Sequence, residues 1–114
     1  MKPGDVVLAE LPQRNDFKAR PALLLKIAPP YGDFILCGIT TQLQNIVTGV
    51  DEIIDSSDAD FSRSGLKQTS LVRAAYLVTL VPEDVLGKLG EVAPERLARI
   101  QRNLARFLES PSIN

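Results

Sequence analysis

The dipeptide Arg20-Pro21, followed by an apolar run, constrains the possible folds of this chain more than any other feature. Leu23 to Ile27 have the length and composition of a buried strand. Proline cannot donate a hydrogen bond within a sheet, so Pro21 fits only the first position of such a strand or an edge strand. Arg20 is therefore expected at the entrance to a strand. Its guanidinium there could bind phosphate oxygens, or it could be a solvated flank or half of a surface ion pair.

The other segments predict a small β-rich domain. Further runs of strand length lie at 6–11, 34–41, 50–54 and 69–81, of which the last is long enough to be extended or bulged. Pro82 to Leu86 predicts one helical turn, and Pro94 opens the long helix. We therefore predict one domain over residues 1–114 with a β-rich α+β fold. It would be a small curled antiparallel sheet closed by a C-terminal helix.

The long helix has an apolar and a basic side. The apolar residues recur at three- and four-residue spacing and are expected to face the core; they are Leu97, Ile100, Leu104, Phe107 and Leu108. Four arginines are expected on the other side: Arg96, Arg99, Arg102 and Arg106. A basic stripe of this kind could bind nucleic acid, but it is more often a solvated face or a surface for an acidic partner.

Composition removes several classes of function. The chain has no histidine, which excludes serine-type triads and the commonest zinc ligand. The lone Cys37 is expected in the core, and the acidic run at 55–60 lacks the glycine and terminal glutamate of an EF-hand and is expected to be a solvated loop. No segment resembles a transmembrane helix or a signal peptide. A cytoplasmic location without metal or cofactor is therefore expected.

Charge is distributed unevenly, although the net formal charge is −1. Residues 1–30 carry a net +2, residues 31–62 a net −6 and residues 63–81 a net +3. The chain as a whole is therefore not a basic nucleic-acid binder. A polyanion would meet the regions around Arg20 and Arg73, with the acidic middle facing away.

Several short motifs follow one another along the chain. They are Gly4-Asp5-Val6-Val7, Arg20-Pro21-Ala22-Leu23, Ile39-Thr40-Thr41-Gln42, Ser70 at the start of a long strand, and Leu86-Gly87-Lys88-Leu89-Gly90-Glu91-Val92 before the helix. Their order and spacing resemble the MazF/PemK family, the toxin halves of toxin–antitoxin pairs. The resemblance extends over nearly the whole chain. It implies a fold related to a small SH3-like barrel with added helices, and usually a homodimer. It also implies a metal-independent endoribonuclease that cuts single-stranded mRNA and inhibits growth.

The resemblance implies roles for individual residues. Arg20 and Thr40 match positions that lie together in the family's active site, and Ser70 matches a serine in substrate contact. The other side chains predicted to contact RNA are Lys18, Thr41, Gln42 and Arg73. Attack by the ribose 2′-OH requires donors for the charge that builds on the phosphoryl oxygens. Arg20 would supply a bidentate donor and Thr40 one more.

The implied partners are single-stranded RNA, a second copy of the chain, and an antitoxin that would cover the Arg20 face with an acidic, disordered segment. Operator DNA binding by a toxin–antitoxin complex stays open. The alternatives are a CcdB-like toxin of a protein target such as gyrase, and an inactive RNA- or antitoxin-binding module. CcdB-like toxins rely on a C-terminal Trp-Gly-Ile, which is absent here. The loop at 12–19 is shorter than is common in the family and has no glycine, so whether it preserves catalysis is open.

Overall fold

A computed structural model describes residues 1–13 and 16–111. In chain order it contains β1 (Asp5–Gln13), β2 (Asp16–Ala28), β3 (Asp33–Thr40), a 3₁₀ turn (Leu43–Asn45), β4 (Glu52–Ile54), α1 (Phe61–Ser64), β5 (Ser70–Leu80), a 3₁₀ turn (Pro82–Asp84), β6 (Val85–Glu91) and α2 (Pro94–Glu109). The predicted strands and the long helix are present. The sequence analysis did not predict β6 or the short α1.

The strands form one antiparallel sheet in the order β4-β5-β3-β2-β1-β6. This confirms the prediction of a small antiparallel sheet with a C-terminal helix. In the part of the chain that the structure describes, the outer strands β4 and β6 do not pair with each other, so the sheet is not closed into a barrel.

The loop predicted at 12–19 is mostly strand. β1 runs to Gln13 and β2 begins at Asp16, and the backbones of these two residues are paired. Arg14 and Asn15 lie outside the described residues. The two strands thus form an antiparallel hairpin that reaches well beyond the expected end of the first strand.

Both faces of the sheet bury apolar side chains, because neighbouring residues of a strand point to opposite faces. Val6 and Leu23 belong to the cluster against which α2 packs, whereas Val7 and Leu24 belong to a cluster on the other face. Cys37 lies in the first cluster, as predicted, and burial raises the pKa of its thiol to about 12. The thiol is therefore protonated near neutral pH.

Two of the five helix residues expected in the core are exposed. Ile100 is fully buried, and Leu97 and Leu104 pack against the same cluster. Phe107 and Leu108 are 44% and 64% exposed, so the prediction for these two residues is wrong. They lie in the last turn of α2, beyond the part of the helix that packs on the core, and they line shallow surface grooves.

Arg96 is only 7% exposed, which contradicts the prediction that it lies on a solvated face. Its guanidinium donates to both carboxylate oxygens of Asp60 at 2.8 and 2.9 Å, to Asp58 at 2.8 Å and to Glu52 at 2.9 Å. Arg99 also binds Glu52. The acidic run at 55–60 is therefore not only a solvated loop, because two of its carboxylates neutralise this arginine.

The Arg96 cluster, defined as Arg96 with Glu52, Asp58 and Asp60, joins α2 to β4 and to the segment before α1. The carbonyl of Ile53 accepts a further bond from Arg96 at 3.0 Å. Breaking a buried ion pair by removing one partner leaves an uncompensated charge and is strongly destabilising. The cluster therefore fixes the helix on the sheet.

Replacing Arg96 by alanine should lower the free energy of unfolding by about 3–5 kcal/mol, the usual cost of removing one partner of a buried ion pair, here the pair with Asp60. Urea denaturation followed by circular dichroism measures this. The control is Arg102→Ala on the exposed side of the same helix, for which a change within about 0.5 kcal/mol is expected. Equal effects of the two variants would contradict a structural role for the cluster.

The Arg96 guanidinium lowers the pKa of Asp60 from its ordinary value of 3.8 to about 2. The unfolded chain then binds more protons between these pH values, so this stabilisation is present above pH 4 and is lost as pH falls toward 2. We expect a loss of about 2 kcal/mol over this range relative to Asp60→Asn, which lacks the titrating group. Denaturant unfolding at each pH measures it, and parallel acid profiles of the two proteins would refute it.

Candidate functional site

A surface cleft of about 250 Å³ lies where β2, β3 and β5 run side by side. Its lining is mainly polar and comes from distant parts of the chain. The lining residues are Leu11, Arg20, Gly38, Ile39, Thr40, Thr41, Gln42, Asn45, Arg73 and Tyr76. The cleft thus gathers five of the seven residues that the sequence analysis selected.

Antiparallel pairing places Arg20 and Thr40 close together. Ala22 on β2 pairs with Gly38 on β3. Arg20 lies two residues before Ala22 on β2, and Thr40 lies two residues after Gly38 on β3. Because the strands are antiparallel, extending the same register places Arg20 opposite Thr40. Both side chains line the cleft. Arg20 directly precedes Pro21 and is exposed. Both residues lie inside β2, which begins at Asp16, so the prediction that Arg20 lies at the entrance to a strand is wrong. Proline is tolerated within this strand because the pairing of β2 with β3 begins only at Ala22.

The turn after β3 arranges the hydroxyl of Thr40. The backbone N–H of Gln42 donates to Thr40 Oγ1 at 3.1 Å, so the hydroxyl oxygen accepts a bond from the protein. Its own O–H remains available to donate to a ligand. The side chain of Gln42 accepts a bond from Gln44 at 2.7 Å, which holds it at the rim.

Arg73 enters the cleft from β5, on the far side of β3 from Arg20. Gly38 pairs with Ala22 on one side and with Arg73 on the other. The Arg73 guanidinium carbon lies 5.2 Å from the centre of the Tyr76 ring, within the range of a cation–π contact. The two arginines therefore flank one strand at the same end of the sheet.

The Tyr76 ring lies directly over Gly38, so a larger residue at this position would crowd the ring. A Cβ atom at Gly38 would come within 3.1 Å of Tyr76 Cδ2, closer than ordinary van der Waals contact. The Tyr76 hydroxyl donates to the carbonyl of Pro12 near the end of β1. The ring is thus fixed between β3, the β1 end and Arg73.

The cleft carries positive charge without a carboxylate among its described lining residues. The ion pairs of the described side chains involve neither Arg20 nor Arg73. Among those side chains there is also no group of three or more acidic or cysteine residues that could hold a metal ion. An arrangement of two guanidinium groups, a hydroxyl and amides is suited to the oxygens of a phosphodiester.

Two predicted RNA contacts lie outside this cleft. Lys18 is exposed on β2, paired with Leu11, and is not among the lining residues. Ser70 is 3% exposed, and its hydroxyl donates to the carbonyl of Gln68 at 2.8 Å. Ser70 lines a neighbouring groove with Pro21 and Thr41, and Thr41 lines both. The structure thus connects Ser70 to the cleft only through Thr41.

Sequence reasoning missed Tyr76 and Asn45. The sequence pattern predicts Tyr76 only as part of a long strand. Its position in the cleft depends on a register shift between β3 and β5 that no local pattern specifies. Asn45 lies in a 3₁₀ turn of a loosely patterned polar segment. The signal available for Tyr76 was its position three residues after Arg73, on a strand already predicted to be long enough for a bulge.

In the part of the chain that the structure describes, no helix combines the length and the apolar character needed to cross a membrane.

Comparisons with known proteins identify the family and the fold. The family profile described as PemK-like, MazF-like toxin of type II toxin–antitoxin system matches residues 2–108. No relative was found among curated protein sequences.

Solved structures share the fold at low sequence identity. An endoribonuclease in complex with its cognate antitoxin from a mycobacterial species is 23% identical with a TM-score of 0.72, covering 98% of both chains. The Mycobacterium tuberculosis toxin MazF-mt6 is 19% identical with a TM-score of 0.70, covering 95% of this chain and 99% of its own. MazF in a MazE–MazF crystal structure from Deinococcus radiodurans is 17% identical with a TM-score of 0.72, covering 97% of both chains.

Proposed function

The chain belongs to the PemK-like, MazF-like toxins of type II toxin–antitoxin systems, and we propose that it is a metal-independent endoribonuclease that cleaves single-stranded RNA by attack of the ribose 2′-OH. In this proposal Arg20 and Thr40 contact the scissile phosphate. Growth inhibition by cutting mRNA follows from the same activity.

One observation carries the proposal: Arg20, Thr40 and Arg73 converge in one polar cleft. A guanidinium stays protonated and offers N–H donors in a fixed fork that matches phosphate oxygens. The Thr40 hydroxyl accepts from the protein and can donate outward. Hydrogen-bond donors of this kind stabilise a phosphoryl group on which negative charge grows.

In this reaction the RNA supplies the nucleophile, and no side chain of the protein attacks the phosphorus. The 2′-oxygen attacks the adjacent phosphorus. The bond between this phosphorus and the 5′-oxygen of the next nucleotide then breaks. The 2′-OH loses a proton, the leaving oxygen gains one, and the products are a 2′,3′-cyclic phosphate and a 5′-hydroxyl. Arg20 and Thr40 stabilise the charge on the phosphoryl oxygens. The chain has no histidine to move the protons, so solvent water does so and the expected rate is modest.

RNA binding extends along the cleft rim in this proposal. Thr41, Gln42 and Arg73 line the cleft with the two catalytic groups, and Lys18 lies two residues from Arg20 on β2. Ser70 would contact RNA in the neighbouring groove that shares Thr41. Phosphate contacts by cationic side chains weaken as salt rises, so binding should fall steeply with ionic strength.

A cognate antitoxin and a second copy of the chain are the proposed protein partners. Solved structures of the same fold include an endoribonuclease with its cognate antitoxin and MazE–MazF complexes. The positive charge of Arg20 and Arg73 suits an acidic segment that competes with RNA for the cleft. For the homodimer, sedimentation at micromolar concentration should give twice the monomer mass of 12.5 kDa. A monomer would contradict it.

Arg20→Ala and Thr40→Val should each lower the rate of RNA cutting in EDTA by about 100-fold or more, the usual effect of removing one donor to a transition-state oxyanion. Thr40→Ser keeps the hydroxyl and should retain most activity. Arg20→Lys keeps the charge but loses the fork, so its activity should be intermediate. The measurement is the initial rate on a long single-stranded RNA, with cut ends mapped by primer extension.

Arg63→Ala is the matched control, because Arg63 is exposed and lies outside the cleft. It should cut as the wild type does, and all variants should keep the wild-type circular dichroism spectrum. Cutting by Arg20→Ala at the wild-type rate would refute the assigned site. Cutting that stops in EDTA would refute metal independence.

A further inference from the structure

The position of Arg73 depends on a large bulge in β5. From Cys37 to Gly38, β3 advances by one residue, while the paired residues of β5 change from Leu77 to Arg73. Residues 74–76 are therefore extra on β5. A bulge bends its strand and redirects the neighbouring side chains, and bulges are frequent next to active sites.

Asp51 accepts a backbone hydrogen bond from the bulge that a neighbouring strand would otherwise accept. Its Oδ1 accepts the backbone N–H of Ala74 at 3.1 Å, and its Oδ2 accepts the N–H of Val47 at 2.9 Å. Ala74 is fully buried, and an unpaired N–H there would be costly. One carboxylate thus fastens the bulge to the segment before β4, which begins at the next residue, Glu52.

Tyr76 fixes the other end of the bulge. Its ring lies over Gly38, its hydroxyl donates to the Pro12 carbonyl, and Arg73 lies over the ring. An exposed arginine otherwise samples many rotamers, and ordering it on binding costs conformational entropy. The ring therefore holds the guanidinium in the cleft before a ligand arrives.

We infer that Asp51 and Tyr76 are positioning residues that hold the β5 bulge so that Arg73 grips the RNA phosphodiester from the side of β3 opposite Arg20. This inference rests on the proposed ribonuclease function. Neither residue touches the reacting atoms: the Tyr76 hydroxyl is committed to Pro12, and both Asp51 oxygens bind backbone amides. Both act through Arg73.

A double-mutant cycle separates this role from a general structural one. Tyr76→Leu and Asp51→Asn should each lower kcat/KM for RNA cutting by roughly tenfold, since small displacements of a positioning group cost one to two orders of magnitude. In an Arg73→Ala background the same substitutions should lower kcat/KM little further, because the guanidinium through which they act is absent. Tyr76→Phe keeps the ring under Arg73 and should retain more activity than Tyr76→Leu.

A second measurement tests the hydrogen bonds between Asp51 and the bulge without RNA. Asparagine at position 51 keeps one acceptor and turns an N–H₂ toward the other backbone N–H, so Asp51→Asn should speed hydrogen exchange at the amide of Ala74 or of Val47, whichever loses its acceptor. The matched controls are Asp84→Asn and Tyr31→Leu, both at exposed positions outside the cleft. They should leave exchange at these amides and RNA cutting as in the wild type.

The outcomes are distinct. If the wild type cuts RNA and Arg20→Ala does not, but Tyr76→Leu and Asp51→Asn cut normally, this inference fails and the proposed function stands. The inference is also overturned if the substitutions lower kcat/KM equally in the presence and absence of Arg73, or if Asp51→Asn leaves hydrogen exchange unchanged at both Ala74 and Val47. A wild type that neither binds nor cuts RNA would overturn both proposals.

Discussion

The candidate site depends on the antiparallel pairing of β2, β3 and β5 around Gly38. This residue pairs with Ala22 on one side and Arg73 on the other, so the register, together with the β5 bulge, brings two arginines from distant parts of the chain to one end of the sheet. A shift by one residue would turn every side chain of the shifted strand to the opposite face. The apolar clusters on both faces prevent such a shift, because Leu23 and Leu24 are each fully buried on their own side.

Charge is used in two ways in this fold. In the Arg96 cluster, the buried carboxylate of Asp60 and the partly exposed carboxylates of Glu52 and Asp58 neutralise a buried guanidinium and attach α2 to β4 and the segment before α1. In the cleft, exposed Arg20 and Arg73 take part in none of the ion pairs among the described side chains. The acidic middle of the sequence thus contributes to stability, while the positive charge that could meet a polyanion lies at the end of the sheet. Asp51 and Glu52, adjacent in sequence, serve the bulge and the cluster respectively.

The sequence was sufficient to predict five of the six strands and the long helix, because apolar runs, helical spacing and prolines carry that information locally. The order of its short motifs indicated the family. It also pointed to Arg20, Thr40 and Arg73, which the structure places in one cleft and whose roles are proposals. Helical periodicity placed Arg96 on the wrong face, since the spacing cannot show that Asp58 and Asp60 would neutralise it. Tyr76 and Asp51 were missed for a similar reason. Their contacts arise only from the bulge, which depends on pairing between segments distant in the chain.

The end chemistry of the RNA fragments tests the central claim most directly. Wild-type protein would be incubated with a long single-stranded RNA in EDTA, and the fragments analysed by mass spectrometry. Attack by the 2′-OH predicts a 2′,3′-cyclic phosphate, or the 3′-phosphate formed by its hydrolysis, on one fragment and a 5′-hydroxyl on the next. Fragments with 3′-hydroxyl and 5′-phosphate ends, or intact RNA, would contradict the account.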